Sequence, residues 1–421
     1  MTTQQRVLPG FLALLLALGG CAGASPAASL HAQHAASGSP SRPPDRDAMW
    51  RTSLARAPLS ATAAFDRHGT LWLAQVDRGH LRLSTSTDKG DTFGLPVTVN
   101  ADPERIAADG ENRPKLAFGT EGEIYVSWTR SGEQPFSGDV RFARSLDGGR
   151  SFSAPMTVND NRAPISHRFD ALTVTPDGRI HLLWLDKRDS AAAQKRGEKF
   201  TGISLYYAVS VDRGAGFSAN RKLADHTCEC CRIALTPDTD GTPVAFWRHV
   251  FGSNIRDHAL LRLDEQQALQ RISHEQWAVD ACPHHGPALA IDTDGVYHLA
   301  WFSGGDNAGL YYARSPDRGR TTTSPVRIGN PGRQAGRVAL VTLGQQVVLA
   351  WKEFDGQAAV VRVMRSADSG AHWSVAQDVA QSSGSSDHPQ LLEHGGRAFL
   401  AWNTANEGFR LIALSGSGLT P

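Results

Sequence analysis

The chain has 421 residues with 43 Lys and Arg against 42 Asp and Glu, so its formal charge is +1 and it has no one-signed field to steer it toward nucleic acid. Hydrophobic residues make up 40% of it, with 41 Gly and 22 Pro, which allows a sizeable core but favours many short elements joined by turns over long helices. Length alone suggests two or three domains.

Arg6 precedes an apolar run from Phe11 to Leu18, which suits the core of a signal peptide and is too short to span a bilayer. The run meets Leu18-Gly19-Gly20-Cys21, which resembles the bacterial lipobox, where small residues admit the peptidase and the Cys sulfur is acylated before cleavage. Residues 1–20 are therefore expected to be a lipoprotein signal peptide, with Cys21 the lipidation site. Residues 21–48, rich in Ala, Ser, Pro and Gly, read as a flexible tether, and residues 49–421 as the folded body. Ala22 is not a retention Asp, so the resemblance implies the outer membrane, with the body facing the periplasm. The partners expected are the membrane, through the acyl anchor, and a glycan or a periplasmic protein. No nucleic acid is expected.

Beyond the tether, period-two strands ending in Trp recur: Glu123 to Trp128, Arg179 to Trp184, Pro243 to Trp247, Val296 to Trp301, Val347 to Trp351 and Ala398 to Trp402. The spacings between these Trp are 56, 63, 54, 50 and 51, and one period before Trp128 lies a matching strand, Thr70 to Ala74. That makes seven repeats of about 53 residues. Each parses as four strands, for example Pro114 to Phe118, Glu123 to Trp128, Val140 to Arg144 and Ala154 to Val158. Four antiparallel strands repeated radially predict an all-β propeller of seven blades, and therefore one closed domain in place of two or three. The seventh repeat has no room for a fourth strand after Phe409 to Leu414, so a segment within Met49 to Ala57 is expected to supply it.

A second signal interleaves with the first. Ser86-Thr87-Asp88-Lys89-Gly90-Asp91-Thr92-Phe93 recurs in kind from Ser145 to Phe152, Ser210 to Phe217 and Ser366 to Trp373, and from Ser315 to Gly319 with Thr322 in place of the aromatic. These resemble the Asp box, S-x-D-x-G-x-x-F/W, of the bacterial neuraminidase repeat in the sialidase-like superfamily. A sixth copy is eroded near Leu261 to Asp264. The resemblance covers residues 50 to 415 and implies a propeller, with six blades, usual in sialidases, as the alternative to seven. It says little about activity.

A sialidase also needs an arginine triad for the substrate carboxylate, a Tyr nucleophile helped by Glu, and an Asp general acid. The arginine motif F-R-I-P has only Asn112-Arg113-Pro114 as its nearest match. All six tyrosines fall in predicted second or third strands, and none lies after Tyr312. Whether the chain is an enzyme is therefore open, with an exo-α-sialidase or another glycoside hydrolase acting on sialylated glycans as the alternative reading. Arg113, Arg168 and Arg232 begin innermost strands and, with His167 and His388, are candidates for binding a ligand on the axis, or for ion pairs between blades.

Two adjacent repeats open on Cys228-Glu229-Cys230-Cys231-Arg232 and Cys282-Pro283-His284-His285-Gly286-Pro287. Register places Cys228 beside Cys282, Cys230 beside His284 and Cys231 beside His285, at one mouth of the channel. Thiolates and imidazoles from two rigid strands suit copper or zinc, so these six residues are the candidate metal ligands. His167 and His388 would extend the cluster, and His226, His249 and His258 would stand behind it. Disulfides, for example Cys228 to Cys282, and a redox-active thiol pair are the competing readings. C-x-C-C with C-P-H-H-G-P on such a propeller also resembles bacterial proteins called sialidase-like after their fold. The favoured function is a lipid-anchored binding module of the cell envelope with a metal-binding channel mouth.

Overall fold

A computed structural model describes residues 58–264 and 268–414. The alternating segments form seven sheets in chain order. The first three blades are β1 (Ala61–Phe65), β2 (Leu71–Asp77), β3 (His80–Ser86) and β4 (Val97–Thr98); β5 (Lys115–Phe118), β6 (Ile124–Ser131), β7 (Gly138–Ser145) and β8 (Met156–Thr157); and β9 (His167–Val174), β10 (Ile180–Asp186), β11 (Ile203–Ser210) and β12 (Arg221–Thr227). The next three are β13 (Ala234–Pro237), β14 (Pro243–Arg248), β15 (His258–Arg262) and β16 (Gln270–Arg271); β17 (Ala288–Ile291), β18 (Tyr297–Ser303), β19 (Gly309–Ser315) and β20 (Val326–Ile328); and β21 (Gly336–Leu343), β22 (Gln346–Phe354), β23 (Ala359–Ser366) and β24 (Gln377–Ser382). The seventh holds β25 (Gln390–His394), β26 (Arg397–Thr404) and β27 (Gly408–Leu414).

Every sheet is antiparallel with its strands in sequence order. The first strands neighbour one another around the ring, and β25 meets β1, so the sheet set closes as a seven-bladed propeller. Six blades have four strands and the seventh has three among the described residues; the fourth strand expected within Met49 to Ala57 lies outside them. So do Cys21 and the residues expected to form the signal peptide and the tether. One helix, α1 (Arg188–Lys195), is inserted between β10 and β11, and no helix among the described residues is long and apolar enough to cross a membrane.

The recurring Trp is the hub of blades two to seven: Trp128, Trp184, Trp247, Trp301, Trp351 and Trp402 are all fully buried. Five of the indole N–H groups have acceptors, at Glu104, Asp186, Glu275, Glu353 and the Asp387 carbonyl. Trp247 of the fourth blade has none among the described residues. The five S-x-D-x-G turns share one hydrogen-bond pattern. The Ser hydroxyl donates to the Asp carboxylate at 2.6–2.9 Å, and the Gly N–H donates to the Ser oxygen at 2.7–2.9 Å. The aromatic that follows packs on the preceding blade: Phe217 on Phe142, Trp373 on Tyr312, and Phe93 across the closure on Phe409.

Candidate metal centre and channel mouth

All inner strands run the same way, so the segments that lead into them gather at one mouth. The turns leaving them gather at the other, where a cavity of about 590 Å³ is lined by Pro237, Ile291, Thr342 and Glu393 among others.

The segment Cys228 to Arg232 links β12, the outer strand of blade three, to β13, the inner strand of blade four. It is pinned by the Cys228 N–H donating to the Arg248 carbonyl at 3.0 Å and the Val250 N–H to the His226 carbonyl at 2.7 Å. This turns the three sulfurs inward, into the apolar seam of blades three and four that contains Phe169, Leu185, Leu205 and Trp247. Cys228, Cys230 and Cys231 are 1%, 4% and 2% exposed. Cys228 Sγ lies 3.7 Å from Cys230 Sγ and 3.9 Å from Cys231 Sγ, and one donor atom from each of the three fits within 4.8 Å of the others.

A second ligand group consists of Cys230, Cys282 and His284, again within 4.8 Å, with Cys282 and His284 exposed. The four cysteines among the described residues are free thiols. Register had paired Cys228 with Cys282; in the structure Cys282 meets Cys230, and Cys228 is enclosed by its own segment. His285 belongs to neither group. Its ring stacks on Phe302 at a centroid distance of 4.2 Å and lies against Gly336, and burial pushes its pKa down to about 3.

Two arginines flank the buried thiols. Arg256 Nη1 donates to Cys228 Sγ at 3.4 Å, and its Nε to Asn254 Oδ1 and the Val279 carbonyl. Arg248 donates to the carbonyls of Arg256, His285 and Phe302. They are 7% and 1% exposed, and neither has a carboxylate partner among the described residues. Hydrogen bonds from Cys230 and Cys231, with the charges of Arg248 and Arg256, hold the Cys228 thiol well below its ordinary pKa. Burial pushes the Cys231 thiol up, and the hydrogen bonds to Cys228 and Cys231 push up that of Cys230.

The axis of the same mouth is built around Glu111. Its carboxylate accepts from Arg232 Nη1 at 3.0 Å, from the Arg232 N–H at 3.1 Å and from the Gly286 N–H at 2.8 Å. Arg337 Nη1 lies 3.4 Å away and His388 Nδ1 3.5 Å. Arg113 Nη2 pairs with Asp387 at 3.0 Å while its Nη1 donates to the Ala61 carbonyl at 2.8 Å. Burial lowers Lys352 to about 8, and its Nζ donates to the carbonyls of Ser386 and Asp387. Burial, with Arg337, Arg232 and Arg113, also lowers His388, which keeps it neutral.

Of the remaining candidates, His167 stands apart, with Nδ1 2.9 Å from Asp186 and Nε2 without a partner among the described residues. Arg168 lies over the Phe169 ring at 5.1 Å. His226 bonds the Thr201 carbonyl and His258 bonds Ser273, while burial lowers His249 to about 4. None of these joins the sulfur groups.

Sequence reasoning passed over Glu111, Arg248, Arg256, Arg337 and Lys352. Arg337 had a readable signal, because it stands second on its inner strand as Arg168 does on β9. Arg248 follows the signature Trp247 directly. The others become part of a site only through long-range contact.

No protein-family model and no curated protein sequence matches the chain. Solved structures do. One is a protein of unknown function from Dyadobacter fermentans, at a TM-score of 0.51 and 13% identity over 75% of this chain and 95% of that one. Another is an ulvan lyase of a new polysaccharide lyase family, at 0.54 and 12%, covering 84% and 92%. A third is the NanB sialidase of Streptococcus pneumoniae, at 0.46 and 11%, covering 78% and 72%. At such identity the likeness is one of fold: this chain is a seven-bladed propeller similar in architecture to a carbohydrate-active enzyme, and its chemistry has to be read from its own residues.

Proposed function

We propose that the chain is a metal-binding module of the cell envelope, lipid-anchored through Cys21, which holds copper or zinc at the Cys228, Cys230, Cys231, Cys282 and His284 cluster. The observation that carries this reading is the pair Arg248 and Arg256. A guanidinium buried without a carboxylate is costly unless acceptors stand beside it; Arg248 is met by three carbonyls, whereas Arg256 Nη1 donates to the Cys228 sulfur. Thiolates are soft ligands, which select copper or zinc over calcium or magnesium. Such a cluster binds metal without needing an enzyme's substrate pocket, in keeping with a binding role.

The test is metal and thiol analysis of the purified protein, prepared anaerobically. Bound copper or zinc near one equivalent, given up more readily to a chelator in Cys228→Ser, is the expected result; no metal uptake by four titratable thiols would overturn it.

A second reading, an exo-α-sialidase or another glycoside hydrolase acting on sialylated glycans, draws on the arginines of the axis. Against it, Arg113 and Arg232 are each bonded within the protein. The tyrosines all lie on second or third strands, and five of their hydroxyls are bonded to protein groups. Assay of the same preparation against a fluorogenic sialoside separates the two readings, since release of sialic acid that is abolished by Arg113→Ala belongs to the second.

A further inference from the structure

The two ligand groups differ in access but share one residue. Cys228, Cys230 and Cys231 are sealed in the seam between blades three and four, whereas Cys282 and His284 face solvent, and Cys230 belongs to both groups. A metal ion arriving from outside meets the exposed pair first, and among the described residues the sulfur that bridges to the interior is that of Cys230.

We propose that the cluster is a two-position relay for Cu(I), in which Cys282, His284 and Cys230 form the landing position, Cys228, Cys230 and Cys231 the seat, and Cys230 stays bound throughout. The proposal rests on the metal-binding reading above. Charge favours Cu(I) in the seat. A Cu(I) tris-thiolate carries two negative charges, which Arg248 and Arg256 match, while zinc in structural sites takes a fourth ligand. Softness agrees, because the landing position offers two sulfurs and an imidazole and the seat three sulfurs.

The transfer is ligand exchange without redox change. The Cu–S bond to Cys282 and the Cu–N bond to His284 break as Cu–S bonds to Cys228 and Cys231 form. Protons displaced from the entering thiols pass to solvent, and Cys282 takes one up. His284, held at a left-handed φ of 51°, and Cys282 lie on the loop before β17, outside the apolar seam, so they can be changed without opening the core.

The experiment loads the full chain anaerobically with Cu(I) as its acetonitrile complex, follows uptake by stopped flow, and reads the ligand shell by X-ray absorption. Cys282→Ser with His284→Gln is expected to leave one equivalent bound in a three-sulfur shell but to slow loading about tenfold or more. Cys228→Ser is expected to leave copper in a shell containing nitrogen, with faster loss to a chelator. Unchanged loading in the double variant overturns the relay, as does loss of its equilibrium copper or a second equivalent bound by the wild type. Failure of the wild type to bind Cu(I) or Zn(II) at all would instead remove the metal-binding reading itself.

Discussion

Glu111 shows how one side chain organises a site that is otherwise a collection of like charges. Its carboxylate, 2% exposed, is shared by the second, fourth, fifth, sixth and seventh blades through Arg232, Gly286, Arg337 and His388. Removing it would leave the Arg232 and Arg337 guanidinium groups without the buried carboxylate they share. Glu111→Ala should therefore destabilise the fold by about 3–5 kcal/mol in urea unfolding, the cost of breaking a buried ion pair from one side. Glu111→Gln, which keeps the shape and one acceptor, should cost clearly less. The sequence marked Arg113 and Arg232 because they recur at strand starts, and it marked the cysteines by their density. Glu111 recurs with nothing, so its role was invisible until the ring closed around it.

At the scale of the element, each blade is made by its turns. The Ser-Asp-Gly clamp satisfies turn backbone groups and leaves glycine at positive φ, so the chain reverses where the next strand must begin. Gly149 and Gly148 separate two requirements. Both have positive φ, 83° and 73°, but a Cβ on Gly149 would come within 2.4 Å of Trp72 of the first blade, whereas one on Gly148 meets nothing within 4 Å. Gly148→Ala should cost about 1 kcal/mol from backbone strain alone. Gly149→Ala should cost about 3 kcal/mol, because the indole must also move. Paired urea midpoints would check the difference. Strand existence was legible from alternation and from the spacing of Trp, but strand ends were not: the strand read as Glu123 to Trp128 runs from Ile124 to Ser131, and the one read as Ala154 to Val158 shrinks to Met156–Thr157. Pairing with the neighbour, which local pattern does not encode, sets where a ladder stops.

For the whole molecule, the joint between the last blade and the first decides whether the ring holds. Asp387 accepts from the Ser60 hydroxyl at 3.2 Å, the Ala61 N–H at 3.1 Å and Arg113 at 3.0 Å, tying the seventh blade to the first and second. Phe93 packing on Phe409 at 5.8 Å closes the same joint further out. Asp387→Ala should lower stability by about 3–5 kcal/mol in a thermal or urea melt. Glu198→Ala, at an ion pair whose side chains are 58% and 54% exposed and screened by solvent, should leave the same melt essentially unchanged.

The sequence by itself determined the repeat and the turn chemistry and favoured seven blades over six, because each depends on contacts within about 50 residues and leaves a periodic trace. It also pointed to the two Cys/His segments, which are dense enough to notice without a partner. Only the tertiary structure decided which sulfurs face one another, that Cys282 meets Cys230, and that His285 turns away to Phe302. It alone placed Arg248 and Arg256 against the thiols. Those choices turn on the direction a side chain takes at a loop between two blades, which is set by the packing of both blades and has no period to be read.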